Sequence, residues 1–450
     1  MKFVKKLKRT PSGRPSCEPG PAGKSSHTPS LPVEIWRKVV GYAARLEGHE
    51  SVQLEDPFSP HDVAEEYPEI DPIMFKDRRS LGQVNSTLRA LVTEISSEYL
   101  VIRRAQDIKY FLQLFKRSMP DGSGKRLGDR TRRIDLKIIG PYNPKKVAAL
   151  LRFTPNLLVL VHQTNRENGK LGRVPKELMR GLMMFGRKIR RLDFDSINEA
   201  PALWDIIDVS RHLVRLETLR ILCLHSYPTN PRDMRGIRIA HFRRLKTLSL
   251  GHIPEPQTDG GEVPEGYIGV WDPLLRYLGL NTRQLPLLER FETGIIPAHD
   301  TSFFETHGYK IRMLRVTTCR AGCHLPTALN HCVNLESLVL AHGCFTPLIP
   351  PGHHTLKRIC ITPSIERLTV VPPKVFLFAV MKPLGELIEQ VEGMHLPCVE
   401  EFRLRDYGLY GRVVEHANFL NMWWRRFALR GIRFVDQEGK PYDNVVDRGY

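Results

Sequence analysis

Leu335-Glu336-Ser337-Leu338-Val339-Leu340 is one copy of a short pattern: apolar, two residues, apolar, one residue, apolar. The same order stands at Ile189, Leu192 and Phe194; at Leu245, Leu248 and Leu250; and at Ile311, Leu314 and Val316. It returns at Leu356, Ile359 and Ile361, and at Val399, Phe402 and Leu404. Weaker copies sit at Ile134 and Leu136, at Leu157 and Leu160, and at Leu288 and Phe291, while Leu216 to Leu224 fits two registers, starting at Leu216 or at Leu219. Apolar residues two apart make a short strand with one buried face. Helix-like segments precede several copies, as at 147–153, 176–185, 274–280 and 325–330. A unit of about 25 residues cannot bury its own apolar face, so neighbours must stack into an arc.

The recurrence resembles leucine-rich repeats over about residues 131–436. The Asn or Cys usual at the ninth repeat position is met only by Cys319, and the copies lie 21 to 43 residues apart, an irregular spacing. A further copy at Ile365, Leu368 and Val370 lies too close to Leu356 to be a separate repeat, and the sequence leaves open which of the two is the strand. Trp423 and Trp424, beside Arg425 and Arg426, are expected to pack a last helix over the open end of the stack, ahead of a final strand at 432–435.

The chain has 450 residues, 41% hydrophobic and 26% charged, an ordinary globular balance that excludes a wholly disordered or fibrous protein. The longest fully apolar run, Val375 to Met381, is far short of the roughly 20 residues of a membrane span. The N-terminus is basic with no apolar stretch behind it, unlike a secretory signal, and eight irregularly spaced cysteines make no disulfide framework. The expectation is a soluble protein of a reducing compartment, cytoplasmic and/or nuclear.

Net charge is +18, and it is unevenly spread. Residues 1–30 are basic and rich in Pro, Ser and Gly, and read as a disordered tail. Within it Lys5-Lys6-Leu7-Lys8-Arg9 suits either a nuclear import signal or a solubilising basic cluster. Residues 46–75 hold nine acids, four prolines and no Lys or Arg, and read as an inserted, mobile acidic loop outside the packed helices. Around that insert stand two further stretches. Leu31-Pro32-Val33-Glu34-Ile35-Trp36 opens an amphipathic helix, with Ile35, Val39, Tyr42 and Leu46 on one stripe. Pro32 suits a first helical turn, and Glu34 the positive end of the helix dipole. Leu81, Val84, Leu88, Leu91, Val92 and Ile95 continue the periodicity, and a helix at about 105–117 follows before Asp121-Gly122-Ser123-Gly124 breaks the chain.

These two stretches resemble an F-box, a three-helix module that opens Leu-Pro-x-Glu-Ile and carries Val-Cys-x-x-Trp on its last helices. Leu31, Pro32, Glu34, Ile35, Val39, Val84 and Leu91 match; Asn85 stands in place of the usual Cys and Leu88 in place of the usual Trp. The expected fold class is therefore α/β, an N-terminal three-helix F-box followed by a leucine-rich-repeat solenoid with a parallel sheet on its concave face. The expected divisions are a tail at 1–30, the F-box at 31–102, a linker helix and loop at 103–130, and the repeats with a C-terminal cap at 131–450.

The resemblance implies a substrate adaptor of a ubiquitin ligase. Leu31, Pro32, Glu34, Ile35, Val39, Val84, Leu88 and Leu91 would dock on the Skp adaptor of a cullin–RING ligase, and the repeats would hold a target protein. It implies no catalytic residue, metal or cofactor. No Gly-rich phosphate loop, His-Glu-x-x-His or Gly-x-Ser-x-Gly occurs in the chain. Cys319, Cys323, His324, His331, Cys332 and His342 cluster without a second correctly spaced pair, and read as structural rather than as a zinc site. In each hexad the third and fifth positions point to the concave face, and arginines recur there at 133, 191, 290 and 358 and at 220, 315 and 403. Two readings of this face stay open. Arg290, Arg315, Arg358 and Arg403 could grip an acidic or phosphorylated target, or same-strand acids such as Asp135, Asp193 and Glu292 could simply neutralise the row. A general protein-binding repeat protein without a ligase role, or a nucleic-acid binder relying on phosphate contacts, is the alternative; no finger, homeodomain or RNP spacing supports the latter. No membrane partner is expected.

Overall fold

A computed structural model describes residues 31–46, 48–59, 72–120, 124–164, 171–196, 198–225, 239–251, 271–294, 296, 301–316, 325–342, 352–363, 381–405 and 417–442. Three helices come first: α1 (Val33–Ala44), α2 (Pro72–Val84) and α3 (Ser86–Ser96). A small apolar core lies between α1 and α3, made of Val40, Ala44, Leu88, Leu91 and Ile95, with Trp36 and Val92 packed beside it. Asn85 caps α3 by accepting a hydrogen bond from the Leu88 amide at 2.8 Å, so the residue at the usual Cys position serves as a helix start.

From α3 the chain runs straight into β1 (Tyr99–Ile102), then α4 (Ala105–Arg117), β2 (Arg133–Leu136), α5 (Pro144–Arg152) and β3 (Val159–His162). Next come β4 (Gly172–Arg173), α6 (Lys176–Phe185), β5 (Arg191–Phe194), β6 (Glu199–Ala200), α7 (Leu203–His212), β7 (Thr218–Ile221) and β8 (Thr247–Leu250). There follow α8 (Asp272–Leu278), β9 (Arg290–Thr293), α9 (Ser302–His307), β10 (Met313–Val316), α10 (Leu325–His331), β11 (Ser337–His342) and β12 (Arg358–Pro363). The chain closes with α11 (Lys382–Gly393), β13 (Glu401–Leu404), α12 (Ala417–Leu429) and β14 (Arg433–Val435).

Twelve strands form one sheet in chain order, with β4 and β6 paired apart from it. Every pairing within it is parallel and unshifted: Ser337 lies opposite both Met313 and Arg358, and Leu338 opposite both Leu314 and Ile359. A constant register keeps the first, fourth and sixth hexad positions on one side. There Leu335, Leu338 and Leu340 join their counterparts and the helices α4 to α12 in one continuous core. This is a leucine-rich-repeat type of solenoid, with the helices packed on one face of the parallel sheet. Near its C-terminal strands Phe427 of α12 packs with Phe402 and Phe434, and Trp423 packs on Phe427.

The structure settles both open registers. Leu219 pairs with Leu192, so the hexad starts at Leu216. The strand near 360 is the Leu356 copy, and the competing copy at 365–370 lies outside the described residues. Two expectations are corrected. The sheet begins at Tyr99, and α4 is its first outer helix rather than a linker, because Leu100, Ile102, Ile108, Leu112 and Phe115 all belong to the main core. The second correction concerns the acidic insert. Its described part, 48–59, is no mobile loop: Val52, Leu54, Glu55 and Phe58 are buried against the concave face of the sheet.

Candidate functional site

Residues 48–59 cross the strands as a strap running from β2 to β12. Gly48 opens it in the left-handed region, at φ 72°. A side chain there would also press on the end of the Arg133 side chain, at 3.3 Å from the Cβ position, but the positive φ is what favours glycine. Along Ser51-Val52-Gln53-Leu54 burial alternates, the mark of extended backbone with one face covered. Asp56-Pro57-Phe58-Ser59 then turns the chain: the Ser59 amide donates to the Asp56 carbonyl at 2.9 Å, and the Asp56 side chain accepts from the Phe58 amide at 3.0 Å. Asp at the first and Pro at the second turn position favour this geometry.

Arginines of the third hexad positions hold the strap by its main chain. Arg133 donates to the Gly48 carbonyl at 3.0 Å, and Arg191 to the Gln53 carbonyl at 3.0 Å. Arg290 donates to the Leu54 carbonyl at 3.2 Å and also to that of Glu55. Two side chains add anchors. Glu55 pairs with Arg405 at 2.5 Å, both side chains being almost wholly buried. Phe58 enters a small apolar site formed by Val339, Cys360 and Met313, separate from the main core, with the Arg358 guanidinium 4.4 Å from its ring centre.

Beneath the strap the same arginines pair with acids of their own strands. Arg133 meets Asp135 at 2.8 Å, Arg191 meets Asp193 at 2.7 Å, and Arg403 meets Glu401 at 2.9 Å. Arg290 pairs with Glu292, and Arg315 lies opposite Glu292 in the neighbouring strand. Burial pushes the Glu292 carboxyl up, but the charges of Arg290 and Arg315 and the Ser249 hydroxyl outweigh it and hold it at about 2. Of the four arginines expected to grip an anion, Arg290 and Arg403 are thus buried in ion pairs, Arg358 stacks on Phe58 and bonds Ser337, and Arg315 serves Glu292. The row is neutralised by acids of its own strands, and the chain's own acidic segment lies over Arg133, Arg191, Arg290 and Arg358. Burial, rather than solvent screening, makes these pairs part of the structure.

The other distinctive surface is on α1. Leu31, Val33, Ile35, Val39 and Tyr42 are exposed, by 40% or more each, and Val84 at the end of α2 is 66% exposed. The helix therefore turns Val40 and Ala44 inward and leaves Ile35, Val39 and Tyr42 of the apolar stripe to solvent, while Leu46 at the stripe's end is buried. Pro32 and Glu34 share that exposure. Leu88 and Leu91 do not: they are buried between α1 and α3.

A buried polar cluster went unread in the sequence. His162 occupies the sixth position of its hexad, where an aliphatic residue is expected, and its Nε2 lies 3.1 Å from the Glu199 carboxylate. Tyr142 and Thr164 donate to the same carboxylate at 2.8 and 2.7 Å. Burial pushes Glu199 up, yet the hydrogen bonds from His162 and Thr164, the His162 charge and the Tyr142 bond bring it down to about 2. His162 and Glu199 are both closed to solvent, so the cluster holds β6 to the solenoid rather than meeting a substrate. A histidine at an aliphatic place in the repeat was the available signal. Of the Cys/His group, Cys319, Cys323 and His324 lie outside the described residues, while Cys332 is a buried free thiol whose carbonyl accepts from His353 at 3.1 Å. Among the described residues no set of three or more His, Cys, Asp or Glu is arranged to hold a metal, and no helix is long and apolar enough to cross a membrane.

No protein family and no curated protein matches the chain. Among solved structures, it is similar to the TLR13–ssRNA13 complex at 13% identity, over 77% of this chain and 48% of that one, with a TM-score of 0.32. It is similar also to the Drosophila Toll–Spatzle complex at 9% identity, over 68% of this chain and 40% of that one, with a TM-score of 0.27. This chain thus spans half or less of the length of either. At these scores the likeness says nothing of ligand or partner, and the solenoid class rests on the twelve strands and their register.

Proposed function

We propose that the chain is a substrate-recognition adaptor of a Skp–cullin–F-box ubiquitin ligase, acting in the cytoplasm and/or nucleus. Its α1 face docks on the Skp adaptor, and its repeat domain binds a target protein. The observation that carries this reading is the exposed apolar face of α1 formed by Ile35, Val39 and Tyr42, spaced four and three residues apart, with Leu31 exposed just before the helix. Such a surface on an otherwise well-packed protein marks a protein contact, and it falls on the residues that match the F-box opening. The adaptor contributes proximity alone: a target lysine held near a ubiquitin-charged enzyme reacts at raised effective concentration.

Ile35 is the residue to change, because it lies on the docking face and outside the small core. Ile35→Asp places a charge where an apolar contact forms, at the cost of an unpaired buried ion. The expected outcome is loss of binding to purified Skp adaptor with the circular dichroism spectrum unchanged. Full retention of binding by the folded variant contradicts the F-box reading.

A further inference from the structure

The strap 48–59 is held as a bound peptide is held. Three arginines read its carbonyls, which any extended segment offers, while Glu55 and Phe58 are the side chains set into specific partners, beside the buried Val52 and Leu54. The solenoid does not need the strap for its core: no residue of 48–59 belongs to the main apolar cluster, and Phe58 sits in a separate site. Along most of the face charge balance does not depend on it either, since Arg133, Arg191, Arg290 and Arg403 each have an acid on their own strand, while Arg405 takes Glu55 from the strap. The strap carries three acids, Glu50, Glu55 and Asp56, and no Lys or Arg, which suits an arginine-lined floor.

We infer that the concave face is a groove for an extended acidic protein segment, filled in cis by residues 48–59. It reads a row of main-chain carbonyls, then a carboxylate at Arg405, then an aromatic ring delivered by a proline turn to Met313, Val339, Cys360 and Arg358. A target carrying the same order of groups exchanges with the strap. The tether gives the cis segment an effective concentration that reaches about millimolar for short flexible connections, so the target must outbind it or meet a loosened strap. This inference concerns the concave face alone; Skp association, read at Ile35, succeeds or fails separately.

The test uses a labelled peptide with the sequence of residues 48–59, Gly-His-Glu-Ser-Val-Gln-Leu-Glu-Asp-Pro-Phe-Ser, titrated by fluorescence anisotropy against the full chain. Phe58→Ala in the protein weakens the cis occupant and leaves the groove intact. That chain should bind the peptide at least tenfold more tightly than the wild type. Adding Arg290→Ala to it, or replacing the peptide's Phe by Ala and its second Glu by Gln, should each cost at least tenfold. A chain with Glu55→Gln repeats the comparison should Phe58→Ala fail to fold. Equal affinity for wild type and variant would place the peptide elsewhere and overturn the inference. So would absence of binding to both variants, which would make the strap a permanent part of the fold.

Discussion

Glu292 and Glu199 are held at about 2, and His307 on α9 is pushed down to about 4, first by burial and then by Lys310, against the raising effect of its bond to the Leu278 carbonyl. All three act on stability with the same sign. As pH falls below the ordinary histidine value of 6.5, the unfolded chain takes up a proton that buried His307 refuses until about 4. Below the ordinary carboxylate value of 4.5 the unfolded chain also protonates Glu199 and Glu292, which the folded protein resists down to about 2. Stability should therefore fall in two stages on acidification, the second steeper, each tenfold change in protonation being worth about 1.4 kcal/mol. Urea midpoints measured from pH 7 to pH 3 check this. The double variant Glu199→Gln, Glu292→Gln should be less stable at pH 7 and lose less on acidification; an unchanged slope below pH 4.5 would contradict the assignment.

The strap is the element on which sequence and structure part company. Its local conformation was legible: Ser51-Val52-Gln53-Leu54 alternates like a half-covered extended segment, and Asp56-Pro57 announces a turn. Its location was not, because four prolines and nine acids in 46–75 read as a loop, and nothing local reveals arginines as distant in sequence as Arg405, the partner of Glu55. Burying Val52, Leu54 and Phe58 contributes about 1.5–3 kcal/mol each at most. Replacing 48–59 with a Gly-Ser linker of equal length should thus lower the unfolding free energy by several kcal/mol, where a solvated loop would cost almost nothing. Cys360 supplies a finer probe. It lies fully buried beneath Phe58, burial pushes its thiol up to about 12, and its Sγ approaches the Pro57 carbonyl at 4.0 Å. Alkylation mapped by mass spectrometry should find Cys360 protected beside exposed Cys398, and Phe58→Ala should speed its labelling at least tenfold. Equal protection in both chains would mean that the strap does not cover it.

Across the whole molecule, the hexads foretold the strands of the sheet from β2 onward, because a period of two fixes which face of a strand is buried. They missed β1, whose Tyr99-Leu100-Val101-Ile102 lacks the preceding apolar residue of the pattern. The arginine row was legible as a row but not as a covered one, since pairing across the sheet and the strap above it are non-local. The α1 stripe was legible as apolar, and only the packing of Val40 and Ala44 shows that it faces outward. One chain thus carries an uncovered apolar face on α1 and a sheet face covered by its own acidic segment. The most direct measurement is affinity purification of the full chain from native extract, with the Ile35→Asp chain in parallel. Recovery of a Skp–cullin pair with the wild type and not with the variant is the expected result; recovery of neither protein with the wild type would contradict the adaptor function.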